Sequence, residues 1–205
     1  MTKTHSMPAS KPSLTSVSIT QSGDIAPVVV SRRHWLATSA AALSGWSGHS
    51  AAQNPTEAQL ERQAPAMPEL GTRLRMPRIE LLNGQSFEPA QTSGQPLLIY
   101  WWSSTCPFCA LQSPSMDALW REQKSRGLNM VALSIDRKPE EASAYLAKRG
   151  YTFPVAWASP AWRQAFPKPK GLPITLLVGR NGRLRLAEKG QMFAEDVQAI
   201  AQLLD

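Results

Sequence analysis

The sequence predicts an α/β domain, a central mixed sheet flanked by helices, in roughly the last two thirds of a 205-residue chain. Three observations carry that expectation. An unbroken apolar run, Leu97-Leu98-Ile99-Tyr100-Trp101-Trp102, reads as a strand buried on both faces. A helical pattern starts directly after it at Pro107, and a second apolar strand and a second helix follow. A turn, Arg180-Asn181-Gly182, then joins two short strands ahead of a closing amphipathic helix.

The elements follow in chain order. Ile79–Leu82 leads into Asn83-Gly84 and reads as a strand entering a turn. Gln95–Trp102 is the central strand. The helix from Pro107 to about Arg126 carries an internal proline, Pro114, which should bend it. Leu128–Ile135 is the second buried strand. Pro139–Arg149 is a helix stopped by Gly150. Ile174–Val178 and Leu184–Glu188 are the hairpin strands, and Ala194–Leu204 is the last helix.

Three regions precede or make up this pattern: a leader at 1–52, a flexible linker at 53–70 rich in Gln, Pro and Ala, and the domain at 71–205. A short helical turn is expected near Thr56–Arg62 inside the linker. The leader reads as a signal peptide, with Ser31-Arg32-Arg33-His34-Trp35-Leu36, a mildly apolar run from Leu36 to Trp46, and the small residues Ser50-Ala51-Ala52. The run is too short to span a bilayer, which takes about 20 apolar residues. The adjacent arginines, followed at two and three positions by an aromatic and a leucine, resemble a twin-arginine (Tat) leader. Ala37 stands where that pattern has a basic residue, and a general secretory signal is the alternative. Either leader implies a periplasmic protein, or a membrane-anchored one if the leader is retained.

The formal net charge is +7. Of 22 basic and 15 acidic residues, four and one lie in the first 52, leaving 18 and 14 for the remainder. Such a modest scattered excess reads as a solvated surface and gives no reason to expect nucleic acid as a partner. The three histidines are His5, His34 and His49, all in the leader. A domain freed of the leader therefore has no imidazole, which excludes a Cys–His or Ser–His nucleophile pair and a histidine-ligated metal.

The chain has two cysteines, in Cys106-Pro107-Phe108-Cys109, at the point where a buried strand gives way to a helix. Cysteines three apart on a helical turn bring their sulfurs within bonding reach. Cys106 falls at the helix N-terminus, where free N–H groups and the helix dipole favour a thiolate. Pro107 suits the first helical position, where its missing N–H costs nothing. Cys106 is thus the expected exposed nucleophile and Cys109 the shielded resolving thiol. A structural disulfide of this span closes too small a loop to stabilise much, and a zinc site lacks its other ligands. The chemistry needs no cofactor beyond the Cys106–Cys109 disulfide, and no metal site is expected.

With these residues in view, the chain from about Gly71 to Leu204 resembles the TlpA/ResA-like, thioredoxin-fold disulfide reductases of bacterial envelopes. The resemblance rests on Leu98–Ser103, the Cys106–Cys109 motif with Pro114 five residues beyond, Val131-Ala132-Leu133-Ser134-Ile135-Asp136, Gly171-Leu172-Pro173, Val178–Gly182 and Gly190. It implies a thioredoxin-like fold, a cis peptide at Pro173, and a Leu172 backbone that pairs with an extended substrate. Three positions depart from the pattern: Thr105 replaces a tryptophan, Gln112 a glutamate that tunes proton transfer, and Tyr100 the buried aspartate of cytoplasmic thioredoxins. Any nearby base is then water or another residue such as Glu188.

The resemblance implies a protein-disulfide reductase fed by a membrane thiol donor. Its clients would be proteins such as apocytochrome c or a copper-site assembly factor, and a monomer is the default state. One alternative is a disulfide oxidase or isomerase, although the span before Pro173 leaves no room for a large helical insertion and residues 53–70 are too few for a dimerisation domain. Another is a redox module that holds Cu(I) through two thiolates. A peroxidase is excluded, since Ser103 stands three before Cys106 and the chain has no distal cysteine.

Overall fold

The computed structural model describes residues 55–204. The leader and the first two linker residues lie outside the described residues. A five-stranded mixed sheet forms the centre, in the order β5-β4-β3-β6-β7. Its strands are β3 (Leu97–Trp102), β4 (Asn129–Ser134), β5 (Val155–Trp157), β6 (Ile174–Val178) and β7 (Leu184–Lys189). β3 runs parallel to β4, and β4 to β5, while β6 is antiparallel to both β3 and β7. A small hairpin precedes the sheet, β1 (Ile79–Glu80) with β2 (Ser86–Phe87), closed around Asn83-Gly84.

All six residues of β3 are buried, as its unbroken apolar run requires. Period-two alternation sends Leu98, Tyr100 and Trp102 to one face and Leu97, Ile99 and Trp101 to the other. Three helices cover the first face: α2 (Pro107–Gln123), α3 (Pro139–Arg149) and α4 (Ala194–Ala199). Met116, Leu119, Ala142 and Val197 bury against it, and Tyr145 and Phe153 pack around the Trp102 ring. Aliphatic and aromatic side chains this size contribute about 1.5–3 kcal/mol each when fully buried. Among the described residues, no long helix covers the second face. Met67, Leu74, Met76 and the β1–β2 hairpin close one part of it. The stretch from Ala158 to Phe166 closes the rest, where Trp162 and Phe166 pack on the Trp101 ring.

Element boundaries match the sequence reading closely from β3 to α3, and α3 ends where Gly150 adopts φ 69°. Helix α2 continues through Pro114 to Gln123, and a 3-10 turn follows at Lys124–Arg126. The closing helix is shorter than expected: the α-helix stops at Ala199 and gives way to a 3-10 turn, Ile200–Leu203. Strand β5, which extends the sheet beyond β4, was not anticipated. The helical turn expected near Thr56–Arg62 is present: Glu57–Arg62 forms a helix, α1, opened by a capping box between Thr56 and Gln59, inside the segment expected to be a flexible linker. Residues 56–70 are thus structured and tied to the domain, as the ion pairs below show.

Candidate active site

The C-terminal end of β3 delivers the chain into the loop Ser103-Ser104-Thr105, which positions Cys106. That loop has few backbone bonds and is built from side chains. The Ser103 hydroxyl accepts the Thr105 N–H at 3.1 Å and is 2.8 Å from the Thr105 hydroxyl. The buried carboxylate of Asp136, just past β4, accepts the Ser104 N–H and hydroxyl, both at 2.9 Å, and the Ser134 hydroxyl at 2.8 Å. Trp157 Nε1 in turn donates to the Asp136 carbonyl at 2.7 Å. Adjacent strands of the sheet therefore hold the approach to the first cysteine.

Cys106 is the N-cap of α2 and forms a disulfide with Cys109, with Cα atoms 5.2 Å apart. Its sulfur accepts the Cys109 N–H at 3.1 Å. That N–H is one of the helix's unsatisfied first-turn donors, the group that stabilises negative charge at this sulfur when the bond is reduced. The two cysteines differ sharply in access. Cys106 is half-buried, whereas Cys109 is 1% exposed. Pro107 and Phe108 between them are exposed, Phe108 at 56%.

Behind the pair, Tyr100 and Ser113 form a buried hydrogen-bonded couple on the Cys109 carbonyl. The Ser113 hydroxyl donates to it at 2.7 Å, and the Tyr100 hydroxyl lies 3.3 Å from it and 3.1 Å from Ser113 Oγ. Burial pushes the Tyr100 phenol well above its ordinary value, and the Ser113 bond only partly offsets this. Tyr100 thus stays neutral and is no proton acceptor at physiological pH. Gln112 is 1% exposed, and its amide is committed at both ends: Nε2 donates to Thr175 Oγ1 at 3.0 Å and Oε1 accepts the Met192 N–H at 2.8 Å. It ties α2 to β6 and to the turn before α4. Glu188 sits opposite Thr175 in the β6–β7 register and is exposed.

The Leu172–Pro173 bond is cis. Pro173 precedes β6, whose first residue Ile174 pairs with Trp101 near the end of β3. That register brings Pro173 to the same end of the sheet as Cys106. The Pro173 carbonyl accepts the Gly190 N–H at 2.9 Å, while neither the N–H nor the C=O of Leu172 has a hydrogen-bond partner among the described residues. Sequence reasoning did not assign roles to Asp136, Ser103 or Ser104, nor to Glu61 and Lys168 beside Gly171. The Ser134-Ile135-Asp136 stretch was visible as a motif, but nothing in it announces that the carboxylate reaches back to Ser104. Among the described residues, no group of three or more His, Cys, Asp or Glu is placed to hold a metal ion. Nor is any described helix long and apolar enough to cross a membrane.

A two-cysteine pair at a helix N-terminus, on a sheet of this topology and beside a cis-proline, defines a thioredoxin-fold thiol–disulfide oxidoreductase of the ResA/DsbE type. Residues 69–204 match the Redoxin family model, and the chain belongs to that family. It is 23% identical over 126 residues to the thiol-disulfide oxidoreductase ResA of Halalkalibacterium halodurans, a match that covers 62% of this chain and 72% of that protein. Among solved structures it resembles a putative thiol:disulfide interchange protein DsbE from Chlorobium tepidum, with a TM-score of 0.57 and 26% identity over 65% of this chain and 94% of the other. It shares the fold of a thioredoxin family thiol:disulfide interchange protein from Chlorobium tepidum TLS, with a TM-score of 0.58 and 20% identity over 69% of this chain and 99% of the other.

Proposed function

We propose that this chain is an envelope protein-disulfide reductase, with Cys106 as nucleophile and Cys109 as resolving thiol. The observation that carries the reading is the asymmetry of the pair. A half-buried cysteine caps a helix N-terminus, a second lies one helical turn inward and is almost wholly buried, and a Leu172 backbone without a partner among the described residues lies at the same end of the sheet.

In the reduced protein the Cys106 thiolate attacks one sulfur of a client disulfide. A Cys106–client bond forms, the client's own S–S bond breaks, and the other client sulfur leaves as a thiolate. Cys109 then loses its proton and attacks Cys106 Sγ. The Cys106–Cys109 bond closes, the mixed disulfide breaks, and two electrons have passed to the client. No carboxylate stands at position 100 or 112, so the Cys109 proton passes to water. The Leu172 N–H and C=O pair with the extended client segment that carries the disulfide, and Pro173 holds that edge open.

The leader at 1–52 places the reaction in the periplasm, either free or membrane-anchored. A membrane thiol donor re-reduces the pair, and the clients are protein disulfides such as those of apocytochrome c or a copper-site assembly factor. The test is the reduction potential of the pair in the purified protein, by equilibration with a thiol buffer. A value at or below about −270 mV supports a reductase, and one near about −120 mV reverses the direction of electron flow.

A further inference from the structure

Helix α1 makes an unusual set of contacts for a six-residue element that buries none of its own residues. A helix this short is unstable alone, so its contacts hold it in place. The Glu57 carboxylate takes both terminal nitrogens of the buried Arg163 guanidinium. One turn on, Glu61 meets the buried Lys168 at 3.0 Å. The second Glu61 oxygen accepts the Gly171 N–H at 2.8 Å. Lys168 Nζ donates to the carbonyls of Pro169 and Gly171, at 2.8 and 2.9 Å. Just beyond α1, the Pro65 carbonyl accepts the Lys170 N–H at 3.4 Å.

Both backbone polar groups of Gly171 are therefore held by one ion pair. Gly171 has φ 95°, a conformation that side-chain-bearing residues rarely adopt, and a Cβ there would lie 3.2 Å from Lys189 Cε. The next residue is Leu172, with its N–H and C=O unpaired among the described residues, and the cis peptide follows. Burial alone would raise the Glu61 carboxyl. The Lys168 bond, the Gly171 N–H and the charges of Lys168 and Lys170 outweigh it and hold the carboxyl below its ordinary value.

We infer that Glu61 is a positioning residue for client binding. With Lys168 it fixes the Gly171 peptide so that the Leu172 backbone is presented, already extended, to the segment flanking the client's disulfide. This rests on the proposed function, in which Leu172 is the client-pairing backbone. The physical reason is preorganisation: a loop ordered before binding loses less entropy when the client docks. Glu61 touches neither cysteine, so the thiol chemistry should not depend on it.

The test compares wild type, Glu61→Ala, Glu61→Gln and Glu57→Gln in three assays. These are KM and kcat for reduction of insulin, the rate of reduction of bis(2-hydroxyethyl) disulfide, and the reduction potential. Glu61→Ala should raise the insulin KM about fivefold, equivalent to about 1 kcal/mol, with kcat, the small-disulfide rate and the potential unchanged. Glu61→Gln keeps an oxygen for the Gly171 N–H and should recover most of the lost KM. Glu57→Gln, which loosens the other end of the same helix, should leave KM near wild type. The inference is overturned by an unchanged KM in Glu61→Ala, by an equal loss with the small disulfide, or by an equal KM rise in Glu57→Gln. A wild-type protein that does not reduce insulin at all overturns the function as well, a result distinct from any of these.

Discussion

Replacing Gln112 by glutamate puts an ionisable group into a buried position whose amide is hydrogen-bonded at both ends, and the structure says what it should cost. The side chain is 1% exposed, with Thr175 Oγ1 on one side and the Met192 N–H on the other. A carboxylate can accept from both, but two hydrogen bonds do not replace full hydration, and burial raises a carboxyl by up to several units. Take a net rise of about two units. The folded state then holds its proton more tightly than the unfolded chain, so the variant loses stability as pH rises from about 4.3, and the loss levels off near about 6.3. The cost is about 1 kcal/mol at pH 5 and about 2.7 kcal/mol at pH 8. With a urea slope of about 2 kcal/mol/M, the unfolding midpoint of Gln112→Glu should drop by about 0.5 M at pH 5 and about 1.4 M at pH 8. Urea titrations of both proteins at the two pH values measure this directly. An equal loss at both would mean that the carboxyl ionises freely in the fold, and the picture of a dry, committed site at position 112 would be wrong. The companion measurement is the alkylation rate of the reduced thiols against pH. Ionisation of residue 112 should add an inflection absent from wild type, and an unchanged profile removes this position from proton handling.

Four other outcomes follow from the same geometry. Cys109→Ser should accumulate a mixed disulfide with a protein client on a non-reducing gel, whereas Cys106→Ser should form none; trapping through residue 109 would invert the assigned roles. Asp136→Asn faces two hydroxyls and an N–H with a single acceptor oxygen, so a buried donor goes unmet at a cost of about 1–3 kcal/mol in urea unfolding. Tyr100→Phe should cost only about 1 kcal/mol, because Ser113 still caps the Cys109 carbonyl. It should leave the alkylation profile unaltered up to pH 9, since the phenol is neutral throughout that range; a changed profile would show that the hydroxyl takes part in proton transfer. For Glu61, whose folded value lies below its ordinary 4.5, the stabilising contribution is present above that pH and lost as pH falls through the folded value. The difference in midpoint between wild type and Glu61→Gln should therefore shrink below pH 4.5, and a difference that grows in acid would contradict the assignment.

The parts of the fold that were legible in sequence are those whose cause is local. The β3 run is buried on both faces and so carries no polar residue, which makes it conspicuous. Helix α3 is bracketed by Pro139 at its first position and Gly150 at its end, each acting on its own backbone. The two cysteines are read correctly as a pair because three residues of helix bring their sulfurs together whatever the rest of the chain does. Strand β5 was missed because three residues are too few to show a period; it exists because β4 offers an unpaired edge for Val155–Trp157.

The supports of the site lie beyond local pattern for a different reason. Asp136 reaches Ser104 across 32 positions, Gln112 reaches Met192 across 80, and Glu61 reaches Gly171 across 110. Each joins a residue that looks like ordinary solvated surface to a backbone group, and a backbone group leaves no trace in sequence. The segment around Glu61 was the hardest case. Its prolines, glutamines and alanines have the composition of a linker, and α1 buries nothing to betray it. What holds it is two carboxylates meeting two cations that the following fold has already buried. Arg163 and Lys168, left alone in that position, would be unpaired charges out of water, which is strongly unfavourable. The domain therefore needs the acidic segment, and the segment needs the domain to be a helix at all. That mutual dependence makes the start of the folded unit a property of the Arg163–Gly171 loop and moves it ahead of Gly71, where composition had placed it. It also predicts where a truncated protein would first fail. Removal of residues up to Gln63 leaves both buried cations unpaired and releases the loop that leads into Leu172, so urea unfolding should show a loss of about 3–5 kcal/mol together with weaker client binding, and an unchanged midpoint would refute the dependence.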